Sequence, residues 1–110
     1  MDYRLKKEKD FNLVFAKGKR IFSKSLTLVY IPSKEFKAGI AVGKKHGGSV
    51  KRNRIKRLLR ESIRSFTPEI TQNFFFVFVP KVAEEYSLEI FKKDMRYILI
   101  KGGFISGKDK

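Results

Sequence analysis

The sequence predicts one α+β domain, in which helices pack against a small β-sheet. Apolar residues recur at helical spacing from Lys51 to Phe66, and the other side of the same stretch is rich in arginine. The run from Phe74 to Val79 is apolar at every position, as expected for a central strand covered on both faces. Residues Ala38 to Gly43 alternate strictly, as in a strand with two different faces. A chain of 110 residues encloses one core, so the helices and the sheet should share it.

Composition restricts the class of partner. The formal net charge is +15, which indicates a polyanion such as RNA, DNA or an anionic membrane. An apolar content of 42% with 11 phenylalanines is typical of a folded globule and not of a disordered basic tail. The lack of cysteine excludes disulfides and thiolate metal sites. The N-terminal residues contain no apolar signal-peptide core and no apolar run is long enough to cross a membrane, so we expect a cytoplasmic protein.

The first predicted element is a short helix from Asp10 to Lys17. Its apolar residues Phe11, Val14 and Phe15 occur at helical spacing, and Gly18 is a typical helix stop. These three side chains can form the core face of the helix. Alternatively, the two phenylalanines can line a groove in which aromatic rings stack on unpaired bases.

Two strands are predicted to follow this helix. Ser23 to Ile31 is rich in β-branched and aliphatic residues and ends before Pro32. Ala38 to Gly43 returns after a short loop. A third strand should lie near Arg20–Ser23, which would complete a three-stranded segment before the basic helix.

The faces of these strands differ in side-chain size. One face of the second strand is made only of small residues: Gly39, Ala41 and Gly43. Such a face either packs closely under a helix or leaves room for the backbone of a ligand. In the first strand, Thr27 and Val29 share one face and Tyr30 lies on the other. Periodicity alone leaves open which face lines a cleft.

The stretch from Lys51 to Arg64 is predicted to be an amphipathic helix. Its apolar side consists of Ile55, Leu58, Leu59, Ile63 and Phe66. Ser49 is the expected N-cap, and Lys51 and Arg52 then add positive charge to a helix end that already carries partial positive charge. This conflict costs about 0.3–1 kcal/mol per residue at an exposed site. A bound polyanion would relieve it.

The last third of the chain is predicted to contain one strand and one helix. The strand Phe74–Val79 ends at Pro80, and Ser87 is the expected N-cap of the final helix. The apolar face of that helix consists of Leu88, Phe91, Met95 and Ile98. Gly102-Gly103 ends it. We expect both ends of the chain, about residues 1–8 and 104–110, to be flexible.

The sequence contains no clear candidate for protein-borne catalysis. His46 is the only histidine and has no cysteine partner, so we expect a loop residue or a phosphate contact. Gly43–Ser49 is similar to a phosphate-binding loop only superficially, because serine stands where that motif requires lysine. Glu84, Glu85 and Asp94 form no recognisable two-metal carboxylate cluster. We therefore predict no catalytic residue and no metal site in the protein.

Two motifs resemble those of a known family. Gly43–Val50 followed by Lys51–Arg57 resembles the Arg-Asn-Arg signature of the bacterial ribonuclease P protein component. Asp10–Gly18 is similar to the first-helix motif of this family, in which two aromatic residues flank a valine and a glycine ends the helix. The motifs occur in the family's order and separation, and the resemblance covers essentially the whole chain.

The resemblance implies a specific fold. Members of the family share an α-β-β-β-α-β-α sandwich that is similar to the second domain of a small-subunit ribosomal protein. We therefore expect a two-layer α/β sandwich that forms a single RNA-binding domain over residues 1–110. The family also has a left-handed β-α-β crossover around the basic helix. General packing rules favour the right-handed form, so the expected handedness rests on the resemblance.

The resemblance also implies a function. Members of the family are the protein subunit of ribonuclease P, an endonuclease whose RNA subunit hydrolyses the phosphodiester bond with its Mg²⁺ ions. The protein binds this catalytic RNA and the 5′ leader of precursor tRNA, and it assists removal of the leader in tRNA processing. The expected partners are therefore ribonuclease P RNA and precursor tRNA in a ribonucleoprotein, with no membrane and no obligate protein partner.

The matching motifs imply two sets of binding residues. The face for the catalytic RNA consists of Lys44, Lys45, Lys51, Arg52, Asn53, Arg54, Lys56, Arg57, Arg60 and Arg64. The leader cleft consists of Phe11, Phe15, Thr27, Val29, Tyr30 and Ala41. Relatives often have a tyrosine at the position that matches Val29, whereas here Tyr30 comes one residue later and on the opposite face. We therefore expect the leader contacts to be less aromatic than in those relatives.

Two other classes of protein share parts of this pattern. A ribosomal or other structural RNA-binding protein would have the same charge and could share the fold, but it would stimulate no cleavage. A membrane-surface protein would need an amphipathic helix with exposed large apolar residues. Here the core requires the apolar side of the basic helix, which disfavours the membrane class.

Overall fold

A computed structural model describes residues 3–107 as three helices and four strands. The elements in chain order are α1 (Glu8–Lys17), β1 (Lys19–Phe22), β2 (Leu26–Pro32), β3 (Lys37–Ile40), α2 (Ser49–Phe66), β4 (Phe74–Pro80) and α3 (Leu88–Lys101). Single 3₁₀ turns at Lys44–His46 and Thr67–Glu69 flank α2. The order confirms the predicted α-β-β-β-α-β-α fold, including the short strand near Arg20–Ser23. Within residues 3–107, none of the three helices could span a membrane.

The four strands form one sheet in the order β1-β2-β4-β3. β2 pairs antiparallel with both β1 and β4, whereas β3 and β4 are parallel. Since α2 connects these parallel neighbours, β3, α2 and β4 form a β-α-β unit around the basic helix. The left-handed crossover of this unit stays a prediction. β4 is an interior strand, as predicted, which explains why its side chains are apolar throughout.

The two faces of the sheet are covered to different extents. On one face, α2 and α3 pack over the larger core, in which the sheet contributes Leu26, Leu28, Phe76 and Phe78. On the other face, α1 packs over a smaller cluster that contains Leu5, Val14, Val29 and Val77. A helix is about 10 Å across, whereas a strand of 7 residues such as β2 is about 23 Å long. The α1 face of the sheet is therefore partly open on both sides of the helix.

The residues before α1 lie along the edge of β3. The amide of Leu5 donates to the carbonyl of Ala38 (2.9 Å), and the amide of Ala38 donates to the carbonyl of Tyr3 (2.8 Å). The side chain of Leu5 is buried in the smaller cluster. The prediction of a flexible N-terminal arm is therefore wrong for Tyr3–Leu5, because these residues satisfy the backbone groups of an otherwise unpaired strand edge. Residues 1–2 lie outside the described part of the chain.

After α3 the chain folds back onto the core. Gly103 has φ +79°, and a Cβ on Gly102 would lie 2.4 Å from the ring of Phe104. Both glycines are therefore needed for the turn that brings Phe104 and Ile105 onto the core, where they are 5% and 7% exposed. The prediction of a flexible tail is wrong for these two residues, because their apolar side chains extend the core. Residues 108–110 lie outside the described part of the chain.

Three of the four helix ends predicted from specific residues agree with the structure, including the end of α3 at Gly102. Ser87 caps α3 as predicted, since its hydroxyl accepts a first-turn amide at 3.1 Å. Gly18 ends α1, but in an extended conformation (φ −77°). It is needed for close packing, because a Cβ there would lie 2.8 Å from the Tyr30 carbonyl oxygen. The predicted cap of α2 is wrong: Gly48 occupies the N-cap position and Ser49 is the first helical residue.

Two predicted strands are shorter than expected. β2 begins at Leu26 because the residues before it form a turn, in which the Ser23 hydroxyl donates to the Leu26 carbonyl (2.8 Å). Asp94 of α3 holds this turn by accepting the amide and the hydroxyl of Ser25 (3.0 and 2.6 Å). β3 ends at Ile40 and not at Gly43.

Candidate RNA-binding surfaces

α2 separates apolar and charged residues over 18 positions. Its buried side consists of Ile55, Leu59, Ser62, Ile63 and Phe66. Ser62 can be buried because its hydroxyl donates to the carbonyl of Leu58 one turn earlier (2.9 Å). The apolar spacing therefore fixes the helix on the core and directs the charged residues outward.

The outer side of α2 carries most of the face predicted for the catalytic RNA. Asn53, Arg54, Arg57, Arg60 and Arg64 are exposed, and Lys51, Arg52 and Lys56 are half-buried. Lys44 and Lys45 are exposed on the 3₁₀ turn that leads into the helix. We call all of these residues the α2 cationic surface. The first turn of α2 contains no acidic residue, so nothing in that turn neutralises the positive end of the helix.

Three side chains of this surface also hold the start of α2 in place. Lys51 Nζ donates to the Ala83 carbonyl (3.1 Å) and lies 5.5 Å from the centroid of the Tyr86 ring. Arg54 donates to the Tyr86 carbonyl at 3.4 Å. Arg52 Nε donates to a carbonyl just before the helix (3.1 Å). The segment between β4 and α3 thus fixes the position of the helix start.

His46 fixes the turn that leads into α2. It is 2% exposed, and its Nε2 lies 2.7 Å from the carbonyl oxygen of Pro80 at the end of β4. Nδ1 accepts the amide of Gly43 (3.1 Å), so Nε2 carries the proton and donates to Pro80. The expectation of a phosphate contact is wrong, because both ring nitrogens are used inside the protein. The following Gly47 has φ +124°, a conformation that favours glycine.

α1 crosses the open face of the sheet above one row of paired residues. In this row Val77 of β4 pairs with Gly39 on one side and Val29 on the other. Val14 of α1 is fully buried against the two valines. Phe11 lies over Gly39, where an added Cβ would be 2.6 Å from the phenylalanine ring. At Gly39 the small-residue face of β3 therefore serves close packing under a helix.

The two phenylalanines of α1 lie on one side of the helix, since positions i and i+4 share a face. Lys17, on the other side, lines a cavity with Ile31 and Pro32 near the end of β2. Phe11 and Phe15 therefore border the opposite part of the sheet face. There Thr27 pairs with Val79 and Phe22, and Ala41 follows β3.

We call this second part of the face the α1 cleft; it consists of Phe11, Phe15, Phe22, Thr27, Ala41 and Val79. The rings of Phe15 and Phe22 are 36% and 60% exposed, so a ligand can reach them. Phe22 and Val79 were not among the residues predicted from the sequence. Both residues lie here because Phe22 of β1 and Val79 of β4 pair with Thr27 of β2. The alternation of residues within one β-strand does not show which residues of other strands lie beside it.

Two residues predicted for the leader cleft do not line it. Val29 is on the correct face but is 1% exposed, because α1 covers it. Tyr30 lies on the opposite face, where its ring centroid is 5.8 Å from that of Phe74 and 5.1 Å from that of Phe104. Tyr30 therefore lies outside the α1 cleft, because neighbouring residues in a strand point to opposite faces.

A groove along the edge of β3 connects the two surfaces. Its volume is about 510 Å³. The basic and aromatic residues that line it are Tyr3, Arg4, Lys6, Phe11, Lys56, Arg60 and Arg64. Three of the residues predicted for the catalytic RNA therefore share one groove with a residue predicted for the leader. The sequence did not predict this proximity, because it depends on the N-terminal residues pairing with β3.

The carboxylates are dispersed over the protein. Within residues 3–107, no group of three or more histidine, cysteine or acidic side chains is placed to hold a metal ion. Glu84 and Glu85 are exposed near the start of α2. Asp94 is buried and bonded to Ser25, so its role is structural.

Comparison with known proteins identifies the family. The family model described as Ribonuclease P matches residues 1–102, which include both surfaces. The chain belongs to the ribonuclease P protein family. Ribonuclease P protein components of Lactococcus lactis and Streptococcus agalactiae are 38% and 33% identical to it. These matches cover 88% and 94% of this chain, and 85% and 96% of the two relatives.

Solved structures of ribonuclease P proteins have the same fold. The protein from Staphylococcus aureus has a TM-score of 0.84 at 24% identity, covering 96% of this chain and 100% of that one. The protein from Thermotoga maritima has a TM-score of 0.79 at 25% identity, covering 89% and 96%. Members of the family are a subunit of ribonuclease P, so this chain is part of a ribonucleoprotein nuclease that processes tRNA and has an RNA partner.

Proposed function

We propose that this ribonuclease P protein binds two RNAs through two surfaces. The α2 cationic surface binds the catalytic RNA, and the α1 cleft binds the single-stranded 5′ leader of precursor tRNA. The observation that carries the proposal is the groove at the β3 edge, where Phe11 meets Lys56 and Arg60. RNA on one surface would lie next to RNA on the other. The protein would thereby hold the substrate leader beside the catalytic RNA and assist its removal.

The α2 cationic surface suits an RNA backbone by charge and by shape. Arg57, Arg60 and Arg64 are exposed, and guanidinium groups can form two parallel hydrogen bonds to phosphate oxygens. The start of α2 adds amide donors and partial positive charge. Phosphates at that position would offset the repulsion between the helix end and the basic residues of its first turn. A structured RNA with many phosphates fits such an extended surface better than a single anion.

The α1 cleft suits an unpaired strand. Its most accessible side chains are the rings of Phe15 and Phe22. Stacking on such rings requires bases that are not already paired, and it tolerates different sequences. The small Ala41 leaves room for the strand's backbone. The leader of precursor tRNA is a strand of this kind.

In this proposal the RNA subunit carries the hydrolysis with the Mg²⁺ ions that it holds. The protein supplies binding and orientation. This division is supported by the only histidine, whose two ring nitrogens are bonded inside the protein, and by Asp94, which is bonded to Ser25. Protein freed of nucleic acid should therefore leave precursor tRNA intact.

The salt dependence of assembly tests the α2 cationic surface. For an RNA complex, the logarithm of the binding constant falls linearly with the logarithm of salt concentration, by about 0.7–0.9 units per phosphate contact. Arg57→Ala and Arg60→Ala should each reduce this slope by about one contact. Lys93→Ala is a matched control, because Lys93 is exposed on α3 and belongs to neither surface. Unchanged slopes in the arginine variants, or an equal change in the control, would contradict the proposal.

A further inference from the structure

A separate cavity lies at the end of the sheet where β2 ends and β4 begins. Its volume is about 600 Å³. Its polar and aromatic lining consists of Lys17, Lys19, Tyr30, Gln72, Phe74 and Phe104. None of these residues belongs to the α2 cationic surface or to the α1 cleft. We call this cavity the β2-end pocket.

Three aromatic rings form a wall of the pocket. The centroids of Tyr30 and Phe74 both lie 5.1 Å from that of Phe104, and all three pairs of rings meet edge to face. Phe104 is buried, whereas Tyr30 and Phe74 are half-buried and keep part of their surface accessible. The rings hold one another in position, so a planar ligand can stack on them at little ordering cost.

Two polar groups at the pocket are available to a ligand. The Tyr30 hydroxyl has no hydrogen-bond partner within residues 3–107, although it can donate and accept. Gln72 Nε2 donates to the Gly103 carbonyl (3.3 Å), which fixes the orientation of the amide. The same amide's Oε1 remains an acceptor without a partner in the described residues. A ligand with an exposed amino group would satisfy this oxygen.

The charge at the pocket is positive. Lys17 and Lys19 are both exposed, and the lining contains no aspartate or glutamate. Positive charge, an aromatic wall and an amide oxygen match three groups of one nucleotide: its phosphate, the ring of its base and an amino group on that ring.

We propose that the β2-end pocket binds one unpaired nucleotide of an RNA strand. The base packs on Tyr30 and Phe74, and the phosphate lies near Lys17 and Lys19. The proposal rests on the RNA-binding function above and extends it, since α1 contributes to both sites. Phe15 of α1 lies in the α1 cleft, and Lys17 lines the pocket, whose aromatic wall belongs to the opposite face of the sheet. An RNA strand that passes over the end of α1 can therefore contact both.

A nuclear magnetic resonance titration of the full protein tests this site directly. Pentacytidylate is a suitable probe, because its bases carry amino groups and do not pair with one another. The side-chain amide of Gln72 and the backbone amides of Gly102 and Gly103 should shift and saturate. Cytidine 5′-monophosphate serves as the second probe and should bind at least about tenfold more weakly, because it lacks a strand that also contacts the α1 cleft. Equal affinity for the two probes would overturn the assignment to an RNA strand.

Two variants separate stacking from charge. Tyr30→Leu keeps an apolar side chain but removes the ring, and it should weaken binding at the pocket by about 5- to 150-fold. The exposed pair Lys17→Gln/Lys19→Gln leaves the core intact and should reduce the salt slope for pentacytidylate by about 0.7 units, because the pocket holds one phosphate. Lys24→Gln/Lys93→Gln is the matched control, because these exposed lysines lie outside the pocket and both surfaces.

The titration also separates this proposal from the proposed function. If pentacytidylate shifts residues of the α1 cleft but not Gln72, Gly102 or Gly103, the pocket proposal is wrong and RNA binding stands. If no residue shifts, the pocket proposal is wrong, and so is the assignment of the α1 cleft to an unpaired strand. If the Lys24→Gln/Lys93→Gln control reduces the salt slope for pentacytidylate equally, the pocket proposal is also wrong. The reduced slope would then follow from the lower net charge and not from loss of a phosphate contact in the pocket.

Discussion

Phe15→Ala should weaken the binding of leader-bearing precursor tRNA to the assembled enzyme and leave mature tRNA binding nearly unchanged. Phe15 is 36% exposed and belongs to neither core cluster, so its ring is available to a base. Stacking contributes about 1–3 kcal/mol per base. Its loss corresponds to about 5- to 150-fold weaker binding. Truncating a buried phenylalanine costs about 3–5 kcal/mol of stability, and the exposed ring of Phe15 should cost well under that.

Leu13→Ala provides the matched control for this variant. Leu13 is 41% exposed on the other side of α1, so its truncation removes a similar apolar side chain from the same helix but outside the α1 cleft. Dissociation constants for precursor and mature tRNA should be measured on the enzyme assembled with each variant, after circular dichroism has confirmed folding. A folded Phe15→Ala protein that binds both tRNAs like the wild type would refute the assignment, as would equal effects of the two variants.

Three further variants test other parts of the account. Arg54→Ala should weaken assembly with the catalytic RNA and affect precursor and mature tRNA alike; a loss confined to precursor tRNA in a binding titration would contradict this. Asp94→Ala should lower the free energy of unfolding by about 3 kcal/mol, because Ser25 loses two hydrogen bonds to a buried carboxylate. Urea denaturation measures this change, and a loss below about 1 kcal/mol would argue against it. Phe104→Ala should cost about 3–5 kcal/mol in the same assay, because its ring packs against Tyr30 and the sheet. Wild-type stability would show that residues after Gly103 lie outside the core.

Local patterns predicted the elements whose formation depends on their own sequence. α2 follows from apolar spacing over 18 residues, and β4 follows from an uninterrupted apolar run. Ser87 was predictable as a cap because capping is a contact within one helical turn. The basic outer side of α2 was predictable for the same reason, since it is the complement of the buried side.

Features that depend on distant pairing were not predictable in this way. Leu5 is held in place because its amide donates to the carbonyl of Ala38, which lies on an edge strand. The periodicity of the sequence does not indicate which strand is at the edge of the sheet. Phe22 reaches the α1 cleft only through its register with Thr27. His46 is buried because the end of β4 offers it a carbonyl, 34 residues away in the chain. In each case the missing information is a contact between separate elements.

The central claim is that this protein assists cleavage of precursor tRNA by binding both the catalytic RNA and the leader. The most direct test is the rate of precursor-tRNA cleavage by ribonuclease P RNA at low Mg²⁺, with and without the protein. The rate should increase clearly with the protein present, and the increase should be smaller for a substrate with a truncated leader. A protein that binds the RNA but leaves the rate unchanged for both substrates would contradict the account, and would be a structural RNA-binding protein instead.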